Sequence, residues 1–137
     1  MMKKIVEWHI PLRTCSEANT REHWTKKKKR HDAQKRAVRL FYNNNSTTIT
    51  LPVHIKLTRI APRNLDVFDN LPASFKCIVD CLCDLLVPRL KPGRADNDER
   101  ITLSCDQKKG DRKQYGIIVN FYDTSKKYVS DVDCLSD

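Results

Sequence analysis

The chain has no apolar run that approaches the roughly 18 residues needed to cross a membrane. Its N-terminal ten residues carry two lysines, but their short apolar segment is interrupted by Glu7 and His9. A secretory signal needs a longer uninterrupted apolar core. The sequence therefore predicts neither a membrane span nor a signal peptide, and a cytoplasmic protein is expected.

Zinc-type cysteine spacing is also missing. The six cysteines form neither a C-x-x-C pair nor a Cys/His pattern. Cys77 and Cys81 lie one turn apart on a predicted helix, which favours a role as small buried apolar residues in a reducing compartment. The D-N-D stretch that begins at Asp96 is not a calcium loop, because Ile101 and Gln107 stand where glycine and glutamate are required.

Acidic residues are outnumbered by basic ones. There are 17 Asp and Glu against 26 Lys and Arg, which gives a formal net charge of +9. Such a balance favours polyanionic partners, and nucleic acid leads because neutralised phosphates release counterions. A length of 137 residues with 39% hydrophobic and 31% charged residues predicts one soluble globular domain.

The hydrophobic pattern predicts a mixed α+β (α/β) fold with the order β-α-β-α-β-β. About four strands form a small mixed sheet, and two main helices pack on it. The predicted strands cover residues 3–10, 48–60, 101–105 and 115–122, and the predicted helices cover 21–42 and 71–87. Residues 1–122 form the expected domain, and residues 123–137 form an acidic, flexible C-terminal extension.

The second helix is the clearest element. Leu71, Phe75, Ile78 and Leu82 recur with helical spacing and form one apolar face. A separate stripe carries Ala73, Lys76, Asp80 and Asp84. We expect Lys76 on this stripe to point toward the same pocket as Asp69.

Two acidic segments border this helix. Asp66 and Asp69 lie between the second strand and the helix, and Asp96 and Asp98 follow in the next loop. If that loop folds back, the four carboxylates meet, and oxygen ligands of this kind suit Mg²⁺. The alternative is that Asp69 and Asn70 are helix caps and that residues 96–98 are an ordinary loop.

The segment Asp69–Asp80, D-N-L-P-A-S-F-K-C-I-V-D, resembles the core motif of RusA-family Holliday junction resolvases. In that family D-x-D-N-L is followed by a lysine and an aspartate one turn apart and by a later acidic loop. Further similarity is found in N-T-R-E-H-W at 19–24, in R-A-D-N-D-E-R-I at 94–101, and in the closing hairpin, from D-Q-K-K at 106–109 to Tyr115 and Gly116. The resemblance covers about residues 3–122.

The resemblance implies an endonuclease of phage type that depends on Mg²⁺, with Mn²⁺ as a substitute. Such enzymes are usually homodimers that cut four-way DNA junctions symmetrically in recombination and repair. By position, Asp69 and Asp96 match metal ligands, and Lys76 and Asp80 match the helix pair. The family's first aspartate corresponds to Val67 in this chain, so Asp66 lies one residue too early. A β-bulge would be needed to turn its side chain toward the metal site. Asp98 is a possible auxiliary ligand.

The predicted catalytic residues are therefore Asp66, Asp69, Asp96 and Lys76. The predicted metal ligands are Asp66, Asp69, Asp96 and Asp98. The predicted DNA-binding residues are His23, Lys26, Lys27, Lys28, Lys29, Arg30, Arg59, Arg63 and Lys76. A competing hypothesis is a non-catalytic basic nucleic-acid-binding module whose aspartates are helix caps. A nuclease with a different branched-DNA preference is a third possibility.

Overall fold

The computed structural model describes residues 3–17, 21–45, 49–87 and 98–125. It confirms a mixed α+β architecture with one four-stranded sheet. In chain order the elements are β1 (Lys3–Ile10), α1 (Trp24–Asn45), β2 (Val53–Ala61), α2 (Asn70–Ser74), α3 (Lys76–Leu86), β3 (Ile101–Lys109) and β4 (Gly116–Asp123). No helix within these ranges is long and apolar enough to cross a membrane.

The sheet has the strand order β1-β4-β2-β3. Strand β4 pairs antiparallel with both β1 and β2, whereas β2 and β3 are parallel. Parallel neighbours need a long crossover connection, and α2 and α3 lie in the connection here. The start of β3 consequently lies beside the start of β2, with Val53 opposite Ile101.

Buried and half-buried residues alternate along β2, and this pattern identifies the buried side of the sheet. Val53, Ile55 and Leu57 are fully buried, and the residues between them are half-buried. This confirms the predicted one-sided apolar face. The strand begins five residues later than the predicted position 48, because Pro52 has no N–H to donate to a ladder.

The hydrophobic core lies between this face of the sheet and the helices. Phe75, Ile78 and Leu82 are fully buried, as the helical spacing predicts, and they belong to one cluster with the sheet residues. Trp8 of β1 is 2% exposed, and its ring meets Phe121 of β4 edge-on at 4.6 Å between centroids. Helix α1 packs mainly on α3.

The predicted single helix over 71–87 is two helices that meet at Phe75. The hydroxyl of Ser74 donates to the carbonyl of Leu71 at 2.7 Å, and Phe75 N–H donates to the carbonyl of Pro72 at 3.1 Å. In a continuous helix Phe75 N–H would bond to Leu71 instead. Competition by a serine hydroxyl for a backbone carbonyl bends or interrupts a helix in this way.

Other boundaries also differ from the predictions. Helix α1 begins at Trp24 and not at Arg21, because the His23 carbonyl accepts the N–H groups of Lys26 and Lys27 at 3.0 and 3.2 Å. Strand β3 continues to Lys109, past the predicted end at Cys105, since its whole length pairs with β2. The predicted acidic extension lies outside the described residues from position 126 onward.

Candidate functional site

The loop at 62–69 carries two of the predicted metal ligands and follows the carboxyl end of β2. Gln107 of β3 holds this loop through both ends of its side-chain amide. It donates to the Leu65 carbonyl at 2.7 Å and accepts the Leu65 N–H at 2.9 Å. The end of β2 is closed by Gly110 N–H, which donates to the Ala61 carbonyl at 2.9 Å. The acidic loop is therefore fixed to the strand ends from which it departs.

Asp66 lies at the surface and caps the start of α2. Its Oδ2 accepts the backbone N–H groups of Asp69 at 2.9 Å and Asn70 at 3.3 Å, and the Asn70 side chain donates to its Oδ1. These hydrogen bonds favour the charged form, and the Asp69 N–H contributes most to lowering the pKa of Asp66. Because β2 ends at Ala61, the predicted bulge has no strand to act in, and the loop alone sets the aim of Asp66.

Asp69 occupies the N-cap position of α2, but its side chain makes no capping hydrogen bond. The alternative that Asp69 acts as a side-chain cap is therefore wrong, since Asp66 supplies that interaction. The Asn70 side chain is engaged by Asp66 and by the hydroxyl of Ser16. The exposed carboxylate of Asp69 has no hydrogen-bond partner within the described ranges, which leaves its oxygens accessible to a ligand.

Lys76 begins α3 and lines a groove of about 610 Å³ between α1 and α3. The predicted stripe is confirmed in part, because Asp80 and Asp84 line the same groove. Asp69 is not among the lining residues, so Lys76 does not share a pocket with it as expected. The α1 side of the groove is basic and is formed by Lys27, His31, Lys35 and Arg39.

The floor of this groove is formed partly by cysteines. Cys77 and Cys81 are buried, and their thiols point at the carbonyls of His31 and Lys35 at 3.8 and 4.0 Å. Burial raises the pKa of both thiols. They behave as the predicted small apolar residues between two helices, and Cys83 is buried as well.

Asp98 lies at the other end of the β2–β3 pair from the acidic loop. Its carbonyl accepts Ile101 N–H at 3.1 Å, at the start of β3, whereas Gln107 holds the loop six residues further on. Six residues of strand span about 20 Å, and a carboxylate ligand lies about 2 Å from Mg²⁺. Asp98 therefore does not join Asp66 and Asp69 on one ion within a chain, contrary to the predicted four-carboxylate cluster.

Arg100 already neutralises Asp98. Its Nε and Nη2 donate to the two carboxylate oxygens at 3.0 and 2.8 Å, and these bonds lower the pKa of Asp98 to about 2. In the described part of the chain no three His, Cys, Asp or Glu side chains are grouped as a metal site. Asp96, the remaining predicted ligand, lies outside the described residues.

The basic residues predicted to bind DNA have two different environments. Lys26, Lys27, Lys28 and Lys29 are exposed along the first turns of α1, beside Trp24, which is 69% exposed. Arg30 instead forms ion pairs with Glu17 and Glu22, and the hydrogen bonds that it donates to these carboxylates raise its pKa. The charge of Arg30 is therefore already matched within the chain, which argues against Arg30 as a DNA contact.

His23 also has local partners, since its Nδ1 accepts the Thr25 N–H at 3.3 Å at the start of α1. Arg59 is buried within the sheet, and Arg63 is exposed at the start of the acidic loop. Arg13 and Tyr115 lie beside them. The sequence analysis predicted no role for Arg13 or Tyr115. Arg13 is a single arginine after the proline that ends β1, and it belongs to no recognisable motif.

Comparisons of the chain with protein-family models, with curated proteins and with solved structures gave no match.

Proposed function

We propose that the chain is a Mg²⁺-dependent endodeoxyribonuclease that cuts four-way junctions and related branched DNA, as RusA-type resolvases do, and acts as a homodimer. The observation that carries this proposal is the exposed pair of aspartates, Asp66 and Asp69, on a loop clamped to the end of the central strand β2. The resemblance of Asp69–Asp80 to the resolvase motif supplies the reaction class.

The donor set of this loop fits Mg²⁺. This ion keeps several waters and is usually held by one or two carboxylates together with substrate phosphate. Asp69 has free oxygens among the described residues, and Asp66 is oriented by N–H groups that use only part of its acceptor capacity. In this proposal Asp69 and Asp66 hold the ion together with substrate phosphate.

A metal ion bound there would supply an activated water and stabilise charge on the phosphate. The protein's own part is to hold the two carboxylates in place. Three N–H donors to Asp66 lower the pKa of its carboxyl and fix its direction before substrate arrives. The Gln107 clamp prevents the loop from moving away from the strand ends.

The groove between α1 and α3 supports DNA as the partner. Lys27, Lys35, Arg39 and Lys76 converge on it from two helices, and its acidic lining residues are Glu17, Asp80 and Asp84. Exposed lysines and arginines bind phosphates with little dependence on base sequence. We infer that Lys76 contacts backbone phosphate along this groove, and a binding constant that falls steeply with salt is expected.

Cleavage of a synthetic four-way junction tests the proposal. The wild-type protein is compared with Asp69→Asn in Mg²⁺ and in EDTA, and linear duplex of the same sequence serves as the second substrate. Asp111→Asn is the matched control, because Asp111 is an exposed aspartate in the turn between β3 and β4. We expect junction cleavage only with Mg²⁺ and a loss of more than about 100-fold in Asp69→Asn, since even outer-shell metal partners contribute 10–100-fold.

A binding module without catalysis is the second candidate, and the capping role of Asp66 favours it. That candidate predicts salt-sensitive binding to junction and duplex with no strand scission. Equal cleavage by wild type and Asp69→Asn would contradict the nuclease site at this loop. Tight binding without any Mg²⁺-dependent product would support the binding module.

A further inference from the structure

Three arginines surround a cleft of about 340 Å³ next to the acidic loop. The arginine cleft is lined by Arg13, Arg59, Ala61, Pro62, Arg63 and Tyr115. No carboxylate is among these residues, and none of the three guanidinium groups forms an ion pair within the described ranges. The cleft therefore concentrates positive charge that the described chain does not neutralise.

Arg59 is the charged group at its base and is only 7% exposed. Burying a charge without an opposite charge is costly, so such groups usually have an ionic partner. Burial lowers the pKa of Arg59, and the positive charge of Arg13 adds to this effect, whereas the nearby Cys15 and Tyr115 groups oppose it. The residues that line the cleft offer Arg59 no carboxylate, and a bound anion would offset the cost of burying its charge.

The guanidinium of Arg59 is also held in one orientation. Its Nε donates to the Thr14 hydroxyl at 3.1 Å, Nη1 to the Arg63 carbonyl at 2.8 Å, and Nη2 to the Thr14 carbonyl at 3.4 Å. A guanidinium has five N–H groups, so one on each terminal nitrogen has no partner among the described residues. Two such N–H groups match the spacing of two phosphate oxygens.

The other two arginines lie at the mouth of the cleft. The Arg13 guanidinium lies 4.5 Å from the centre of the Tyr115 ring, a cation–π contact that restrains its side chain. Arg63 is exposed, and its backbone already supports Arg59. The cleft thus has one fixed, buried cation and two more accessible ones.

We propose that the arginine cleft binds one phosphate group of a DNA backbone, with Arg59 as a bidentate donor and Arg13 and Arg63 closing over it. The choice of DNA as the source of the phosphate and the position of that phosphate beside the cut both rest on the proposed function. Arg63 is three residues before Asp66, so the bound phosphate would lie next to the one that is cut. The cleft would then set the position of the strand relative to Asp66 and Asp69.

Metal-free binding measurements test this proposal separately from cleavage. The first probe is inorganic phosphate in a thermal unfolding experiment, with sodium chloride at equal ionic strength as the reference. We expect 20 mM phosphate to raise the wild-type Tm by about 4 °C. The second probe is a fluorescein-labelled hexathymidylate without a terminal phosphate, measured by anisotropy, because all its phosphates are backbone diesters.

Arg63→Ala and Arg13→Ala are the test variants, because both side chains are exposed and their loss leaves the hydrogen bonds of Arg59 intact. Each should abolish most of the phosphate-dependent rise in Tm and weaken hexathymidylate binding about 10-fold, the effect of one charge-assisted hydrogen bond. Arg36→Ala is the control, since Arg36 is exposed among other basic residues of α1. It should keep the Tm response in full.

Equal responses in Arg63→Ala, Arg13→Ala and wild type would overturn the site. A phosphate response without any Arg63-dependent binding of hexathymidylate would overturn the assignment to a DNA backbone. Because no metal is added and no cleavage is measured, an inactive nuclease would leave these results unchanged.

Discussion

Arg30→Met is the substitution that best separates structure from DNA contact on helix α1. Arg30 joins the helix to the segment before it, because its guanidinium donates to both oxygens of Glu17 and to Glu22. The side chains of Arg30 and Glu17 are only 17% and 10% exposed. Methionine keeps much of the apolar stem of arginine and removes the charge and all of these hydrogen bonds.

The loss of stability expected in Arg30→Met comes from the carboxylates of Glu17 and Glu22, which lose their ionic partner. Breaking a buried ion pair by removing one partner destabilises by about 3–5 kcal/mol. Here solvent still reaches the pair, and His31 Nε2 remains 3.2 Å from Glu17 Oε1. We therefore expect Arg30→Met to lower the free energy of unfolding by about 2–3 kcal/mol, or Tm by about 8 °C. Urea denaturation followed by circular dichroism measures this value.

Lys27→Met is the matched comparison three residues earlier. Lys27 is exposed, forms no ion pair among the described residues and lines the groove between the helices. Its replacement should change stability by less than about 0.5 kcal/mol. It should reduce the slope of log K against log salt concentration by about 0.9 for duplex DNA, because one phosphate contact is lost. Arg30→Met should leave that slope unchanged.

The reasoning about Arg30 is refuted if Arg30→Met unfolds within about 0.5 kcal/mol of wild type. It is equally refuted if Arg30→Met reduces the salt slope as much as Lys27→Met does. Either result would mean that the ion pairs of Arg30 with Glu17 and Glu22 do not hold its side chain.

Three further outcomes are expected. Gln107→Leu removes both hydrogen bonds to Leu65, so stability should fall by about 1–2 kcal/mol in urea denaturation, and limited proteolysis should cut the loop at 62–69 faster. The Asp98 carboxyl should titrate at about 2 by ¹³C NMR. Its pKa should rise in Arg100→Gln but stay below the ordinary value, because the backbone N–H of residue 100 still donates to it. Since the folded pKa is the lower one, the stabilisation from this pair is present above pH 4 and is lost as pH falls toward 2. Leu82→Ala, at a fully buried position, should lower the free energy of unfolding by about 2–5 kcal/mol, measured by the same urea method.

The sequence predicted the elements whose pattern is local. Strand β1 has the predicted bounds, and the apolar face of α3 follows directly from its spacing. The division at Phe75 was not predictable from periodicity, since Leu71 and Phe75 continue the same apolar face across it. At the break the Ser74 hydroxyl donates to the Leu71 carbonyl, and serine also occurs within unbroken helices.

The site was less predictable, because it depends on contacts between distant segments. Strand β3 runs parallel to β2, as the helical connection between them favours, and this direction places Asp98 far from Asp66. The neutralisation of Arg30 depends on Glu17, which belongs to a segment without regular structure. The arginine cleft likewise combines residues from positions 13, 59, 63 and 115.

The two tryptophans have environments different enough to serve as separate optical probes. Trp8 is 2% exposed in the core and Trp24 is 69% exposed at the start of the basic helix. Emission from Trp8 should shift to longer wavelength only when the core opens, whereas Trp24 should be quenched when a nucleic acid covers α1. With Trp24→Phe or Trp8→Phe in place, fluorescence alone would follow folding or binding, without an attached dye.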